Sequence, residues 1–405
     1  MFSDRLPWPH RENRLTEALR RRREAGKPVL DLTESNPTRA GLAAHGETIA
    51  AALADPAAAH YAPDPRGLAT GRRAVADWLG ARGRPVDPAY LVLTSSTSEA
   101  YSHLFKVLCA PGDSVLVPQP SYPLFEHLAR LDGVHAVPYL LDREHQWRLE
   151  TAALTAACAS AERPRAVIVV NPNNPTGTAV RTAERAKLDH LCAGSGLAVI
   201  SDEVFFEYLF APGDPSRGAR TPADQDGPPV SFAAAGPREA LTFTLGGLSK
   251  AGGLPQMKLG WIAATGPDRL RDEALGRLEF VADAYLSVGT PVQLAARRLL
   301  EIGDAGARRI AERVGGNLTT LSALVPAGSP CGLLPADGGW SAVLRVPAVS
   351  SEEELVLLLL EEDGVLVHPG YFFDFPGEAY LVVSLLPPPD TFREGVERVL
   401  NRVST

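Results

Sequence analysis

Apolar and polar positions follow two different periods along this chain. Residues 10–28 set Leu and Ala at helical spacing among arginines and glutamates, which predicts an amphipathic helix. A short strand over Val29–Leu32 and a loop, Glu34-Ser-Asn-Pro-Thr-Arg39, follow it. Between residues 66 and 290, apolar runs alternate with helical stretches, the pattern of an α/β fold with a mostly parallel sheet. Seven strands are expected: Tyr90–Leu93, Ser114–Val117, Ala136–Leu140, Ala166–Val170, Ala198–Ile200, Leu241–Leu245 and Leu259–Ala264. Helices are expected at Ser98–Leu108, Tyr122–Leu131 and Arg181–Cys192, and residues 211–237 read as a Pro/Gly/Asp-rich surface excursion. Beyond a helix over Pro291–Ile302 the pattern turns to α+β. It has helices at 306–324 and 351–362, with strands near 340–346, 364–368 and 380–386. The resulting division is an N-terminal arm with a small-domain segment (1–45), a large domain (46–289) and a smaller C-terminal domain (290–405).

Composition narrows the function. Forty basic against 48 acidic residues leave a net charge of −8, and no basic stripe suited to nucleic acid stands out. The run Arg20–Arg23 reads as a solvated helix face. Residues 1–14 lack the apolar stretch of a signal peptide, and the longest apolar runs, such as Leu355–Leu360, are far short of the ~18–20 residues of a membrane span. Cys109, Cys158, Cys192 and Cys331 are scattered, as free thiols in a reducing cytoplasm would be. The nine histidines form no metal-binding motif.

Lysine usage is more informative. Of 40 basic residues only Lys27, Lys106, Lys187, Lys250 and Lys258 are lysine. A lysine kept against such a bias is either there by chance or there because it can shed its proton and act as an amine nucleophile, which arginine cannot.

In parallel α/β sheets ligands bind beyond the carboxyl ends of the strands, so the residues that follow each strand matter most. Thr94-Ser-Ser-Thr-Ser98 opens a helix, and such a turn suits a phosphate or is a plain serine cap. Asn171-Pro-Asn-Asn-Pro-Thr-Gly177 cannot continue as helix or strand, because of its two prolines. Ser201-Asp202-Glu203 and Gly246-Gly-Leu-Ser-Lys250 complete the set. Lys250 lies in neither a Walker loop nor an S-x-x-K motif, and no G-x-S-x-G elbow occurs. A lysine, an aspartate, an asparagine and an anion cradle are the parts that pyridoxal phosphate requires.

Those motifs together resemble the class I/II aminotransferases of the fold-type I pyridoxal-phosphate enzymes. The resemblance runs from about residue 28 to 400, and Tyr61 with Gly67 and Pro120-Ser-Tyr122-Pro add to it. It implies pyridoxal 5'-phosphate as cofactor, the large domain as its binding domain, and an amino acid or amine and a keto acid as substrates. It also implies a homodimer with shared sites. On that resemblance Lys250 is the Schiff-base lysine and Asp202 the partner of the pyridine nitrogen. Asn174 is the donor to the ring oxygen, and Tyr122 stacks on the ring. Ser96, Thr97, Ser98, Ser249 and Lys258 hold the phosphate, joined by Tyr61 reaching into the neighbouring subunit. Ser35, Asn36 and Arg39 belong to the segment that closes over the substrate.

Three positions depart from the family pattern. Phe205 stands where a tyrosine usually donates to the ring oxygen, which should raise the pKa of the Schiff base. Lys258 replaces an arginine. Val382, in Tyr380-Leu-Val-Val-Ser384, occupies the place of the arginine that clamps the substrate carboxylate. Arg39 is either the substitute clamp or a solvated loop residue. These departures keep a second outcome open: a lyase, condensing or cyclising enzyme on the same cofactor. A regulatory module would carry a DNA-binding domain, for which the stretch before residue 28 leaves no room.

Overall fold

A computed structural model describes residues 2–3, 5–6, 12–211, 226–326, 328–377 and 379–404. The central sheet has seven strands: β2 (Leu91–Thr94), β3 (Ser114–Gln119), β4 (His135–Leu140), β5 (Pro164–Val170), β6 (Ala198–Asp202), β7 (Thr242–Gly247) and β8 (Gly260–Thr265). They lie in the order β2-β8-β7-β6-β5-β3-β4, and β8 alone runs against its neighbours. The carboxyl ends of β2, β5, β6 and β7 therefore emerge on one edge, where ligands bind in such sheets.

Burial on both faces explains why these strands read as continuous apolar runs. Ile168, Ile200, Phe243 and Ile262 pack against α4 (Thr97–Leu108) and α9 (Asp268–Asp283). Val167, Val169 and Val199 alternate to the opposite face, against α6 (Thr151–Ser160) and α7 (Thr182–Ser195). Leu91, Leu93 and Trp261 meet α3 (Ala69–Gly80). The remaining helices before the site are α1 (Arg14–Glu24), α2 (Gly46–Leu53) and α5 (Leu124–Leu131), with α8 (Leu248–Ala251) a single turn after β7.

The C-terminal part builds an antiparallel sheet of β9 (Gly332–Leu333), β10 (Ser341–Arg345), β12 (His368–Pro369) and β13 (Tyr380–Ser384), ordered β12-β13-β10-β9. Its face bearing Leu344, Leu381 and Val383 joins a core with α12 (Glu352–Glu361) and α13 (Pro389–Ser404), and with Leu15, Ala18 and Leu32 from the N-terminal segment. The other face, Val343, Tyr380 and Val382, packs toward the large sheet's helices. Strand β1 (Leu30–Asp31) pairs in parallel with β11 (Val365–Leu366), and the Ser384 amide donates to the Leu32 carbonyl. No helix among the described residues is long and apolar enough to cross a membrane.

The sequence reading needs correction in two helices. The expected helices at 291–302 and 306–324 are a short α10 (Thr290–Leu294) and one long α11 (Ala296–Leu324). Gly303 and Gly306, at the junction of the two expected helices, continue the helix and let the backbone of Gly252 approach. The first helix is shorter than 10–28: Asn13 caps it by accepting the Thr16 amide, and it ends before Ala25 and Gly26. Of the expected excursion over 211–237, residues 212–225 lie outside the described residues; the remainder is loop, with a bridge from Pro229 to Arg181.

The approach of α8 to α11 positions the site. A Cβ on Gly303 would stand 2.8 Å from the Gly252 Cα, and one on Gly306 would stand 2.7 Å from the Gly252 carbonyl oxygen. Because both neighbours are backbone, they cannot yield as a flexible side chain would. Gly303→Ala is therefore expected to destabilise the protein by about 1–3 kcal/mol through overpacking. Gly316→Ala, on the same helix in open space, should gain about 0.5–1 kcal/mol as an ordinary helix substitution. Urea unfolding of both variants checks the contrast.

Candidate active site

Lys250 and Asp202 come from adjacent strands. Asp202 ends β6, and Lys250 lies in the turn α8 that follows β7. The Asp202 side chain is only 8% exposed. It accepts hydrogen bonds from the Tyr101 hydroxyl at 3.0 Å and the Val204 amide at 3.2 Å. Burial dominates its titration and raises its pKa to about 6, against the opposing pull of those donors and of Lys250. The Lys250 amine is half-buried, with no hydrogen bond or ion pair among the described residues. Its Nζ stands 5.2 Å from the Trp340 ring centre and 5.9 Å from that of Phe205. Burial lowers its pKa from the usual lysine value, and Asp202 opposes that shift. An amine whose charged form is disfavoured by burial in an aromatic recess suits nucleophilic or base chemistry.

The Asn-Pro loop assigns its three asparagines different work. The Asn171 carboxamide donates to the Val230 carbonyl and accepts the Val180 amide. Asn173 donates to the Pro120 carbonyl and to Thr176, and accepts from Ser121. Asn174 alone has a carboxamide without a hydrogen bond among the described residues, so it is the one available to a ligand. Tyr122 is part-exposed, and its hydroxyl titrates high from burial and from the nearby Asp202 charge. Phe205 packs edge-on against Trp340 and offers no hydroxyl.

The turn after β2 begins α4 one residue earlier than expected. Ser96 caps it, its Oγ accepting the Glu99 amide at 3.2 Å, so the plain-cap reading of this serine holds. The cap leaves the hydroxyl proton of Ser96 and the amides of Thr97 and Ser98 free for an anion at a helix N-terminus. Gly260, on β8, keeps this corner open: a Cβ there would press on Thr94 and Ser96. Ser249 precedes Lys250. Lys258 is exposed, adopts a left-handed backbone (φ 50°), and has no ion-pair partner among the described residues. These free donors, together with the buried Asp202, fit pyridoxal 5'-phosphate group by group.

Other expected positions lie at the rim. Tyr61 is 82% exposed. The segment carrying Ser35, Asn36 and Arg39 runs between the lysine turn and β13: Pro37 lies beside Gly253, and the Glu34 carbonyl accepts from Ser384 Oγ at 2.7 Å. Asn36 Oδ1 is already used by the Thr38 amide and hydroxyl. The Arg39 side chain is 76% exposed and pairs loosely with Glu34 at 3.8 Å. Val382 is buried opposite Val343 and His368, and burial lowers the His368 pKa. No cation takes its place among these neighbours at neutral pH.

Sequence reasoning missed Tyr101, Tyr208 and Trp340. Tyr101 could have been found: it continues the apolar stripe of α4 one turn after the cap, facing the strand ends. Tyr208 and Trp340 had no motif to signal them.

Comparison with known proteins gives the family and the fold. A family model described as "Aminotransferase class I and II" matches residues 27–399. The glutamate-pyruvate aminotransferase AlaA of Haemophilus influenzae is 27% identical over 402 residues, covering 96% of this chain and 93% of the relative. An alanine aminotransferase of Mycobacterium tuberculosis is 28% identical, covering 93% and 86%. In fold, an alanine aminotransferase from Pyrococcus furiosus superposes with a TM-score of 0.84 over the full length of both chains, at 22% identity.

The raised pKa of Asp202 has a stability consequence. Its folded value, about 6, exceeds the ordinary 3.8, so the folded state holds this proton more tightly. Stability from this group is therefore complete below pH 3.8 and falls as pH rises through 6. In cofactor-free protein, Asp202→Asn should be more stable than the parent above pH 7 by up to about 3 kcal/mol, with the advantage gone near pH 4. Urea unfolding across that range tests it; a difference independent of pH would contradict it.

Proposed function

Since the chain belongs to the class I and II aminotransferase family, we propose that Lys250 and Asp202 are the residues through which it moves an amino group on pyridoxal 5'-phosphate. The protein is an aminotransferase, and its relatives' names support that over the lyase, condensing or cyclising alternative. Enzymes of this family and fold use pyridoxal phosphate and act on amino acids and keto acids. The observation that carries the assignment is a lysine amine, with no hydrogen bond or ion pair among the described residues, close enough to feel the charge of a buried aspartate on the adjacent strand end.

When bound, the cofactor supplies an electron sink that acidifies the substrate's α-carbon. Asp202 would hold a proton on the ring nitrogen, and its burial would strengthen that charge-assisted bond. Asn174 would donate to the ring oxygen without help from residue 205, and Tyr122 would stack on the ring. The Thr97 and Ser98 amides, the hydroxyls of Ser96 and Ser249, and the Lys258 ammonium would hold the phosphate. The Lys250 Nζ would serve as the base that takes the substrate's α-proton. Ser35, Asn36 and Arg39 close over the substrate from the rim. The family's arginine is absent at Val382, so Arg39 must leave Glu34 to meet a carboxylate. The exposed rings of Tyr61, Phe280 and Tyr285 support a homodimer in which Tyr61 reaches the partner's phosphate. Free cysteines are in keeping with the cytoplasm.

Borohydride treatment of the cofactor-loaded protein should leave the cofactor on the Lys250 peptide; recovery on Lys106 or Lys187 would overturn the assignment. Phe205→Tyr restores a donor to the ring oxygen and should move the pH midpoint of the visible absorption band downward. Arg39→Ala should weaken binding of amino acids by about 2–5 kcal/mol and leave matched amines nearly unchanged. Equal effects on both sets would dismiss Arg39. A native preference for amines would point to a substrate without a carboxylate.

A further inference from the structure

The hydroxyl that the family pattern leads one to expect at residue 205 has a counterpart three residues later. Tyr208 is 2% exposed, and its Oη donates to the backbone carbonyl of Lys250 at 2.6 Å. That carbonyl belongs to the third residue of the one-turn helix α8, and the Gly253 amide also donates to it at 3.1 Å. Such a short helix has little stability of its own, so a buried hydroxyl on one of its carbonyls fixes where the turn sits.

The tyrosine is held in turn from two sides. Its ring packs edge-on against Trp340, with centres 5.0 Å apart, and Trp340 also covers the Lys250 amine. The Tyr208 carbonyl accepts the Gly339 amide at 3.1 Å, and Phe210 donates to the Asp337 carbonyl. Next to it, Glu207 is paired with Arg82 and Arg84. Gly338 leaves space for this contact, because a Cβ there would stand 2.6 Å from the Tyr208 carbonyl oxygen.

We propose that Tyr208 is a positioning residue for the reactive lysine. Its hydroxyl fixes the backbone of Lys250, and its ring ties that backbone to the Trp340 edge of the C-terminal sheet. The role rests on the reading of Lys250 as the reactive amine. It differs from a direct role, because the hydroxyl is spent on the peptide carbonyl and is not offered to a ligand. Fixing the turn keeps the amine between Phe205 and Trp340, where water is scarce and Asp202 is the charge that it feels.

The test uses cofactor-free protein, in which the amine itself can be titrated. Trinitrobenzenesulfonate labelling across pH 6–11, followed by peptide mapping, gives the midpoint of Lys250. Tyr208→Phe keeps the ring against Trp340 and removes only the hydroxyl. It should let the turn relax and the amine hydrate, raising the midpoint by about 0.5 unit or more and cutting labelling at neutral pH about threefold. Tyr139→Phe is the control, since Tyr139 is equally buried and its hydroxyl also donates to a backbone carbonyl, that of Ile168, at 2.8 Å. It should lower the melting temperature comparably and leave the Lys250 midpoint unchanged. An unmoved midpoint in Tyr208→Phe, or an equal shift in both variants, overturns the proposal. Borohydride mapping of the loaded parent is read separately. Trapping on another lysine would defeat the reading of Lys250 without altering what the labelling says about Tyr208.

Discussion

The whole site depends on keeping one carboxylate away from water. Asp202 sits at the end of a strand buried on both faces, and a charge there is costly unless neighbours compensate it. The compensation is incomplete: one tyrosine hydroxyl, one amide and the field of Lys250. The remaining demand for a proton donor is what suits the residue to the role proposed for it, since a protonated ring nitrogen would meet that demand. The aromatic recess of Phe205, Tyr208 and Trp340 does the same to the lysine amine from the other side, penalising its charged form. Burial thus opposes the charged form of both groups, the carboxylate on one strand end and the amine on the next.

Glycine placement allows this geometry. Gly252, Gly303 and Gly306 bring α8 onto α11 backbone to backbone, while Gly177 lets the Asn-Pro loop close on Ala336 and Gly338, and Gly338 lets that segment close on Tyr208 and Leu209. Arg181 and Asp337 reinforce that second junction with a buried ion pair.

The sheet was legible because its strands are buried on both faces, so their apolar runs are uninterrupted and the loops between them stand out. The polar residues at strand ends were legible for the same reason: Asp202 and Lys250 interrupt sequence that is otherwise apolar or glycine. What could not be read was what each side chain does once placed. Three asparagines follow β5, and only the surrounding carbonyls and amides decide that Asn171 and Asn173 are scaffold while Asn174 is free. Glycines at 303 and 306 look like a helix break in sequence, because a break and a close approach use the same residue. Tyr208 and Trp340 meet through segments far apart in the chain, and neither has a local pattern that predicts the other.

The seam between chain ends has a consequence for synthesis. Glu34 and Ser384 are bonded across 350 residues, and Leu15, Ala18 and Leu32 share a core with Val396 and Val399 of the final helix. While the chain emerges from the ribosome, the seven-stranded sheet and the lysine turn can assemble first. The N-terminal segment must wait, its apolar face exposed, until nearly the last residue is made. The rim beside the site is therefore the last structure to close, and in a nascent chain the sheet can form while its mouth is still open and the amphipathic N-terminal helix has nothing to pack against.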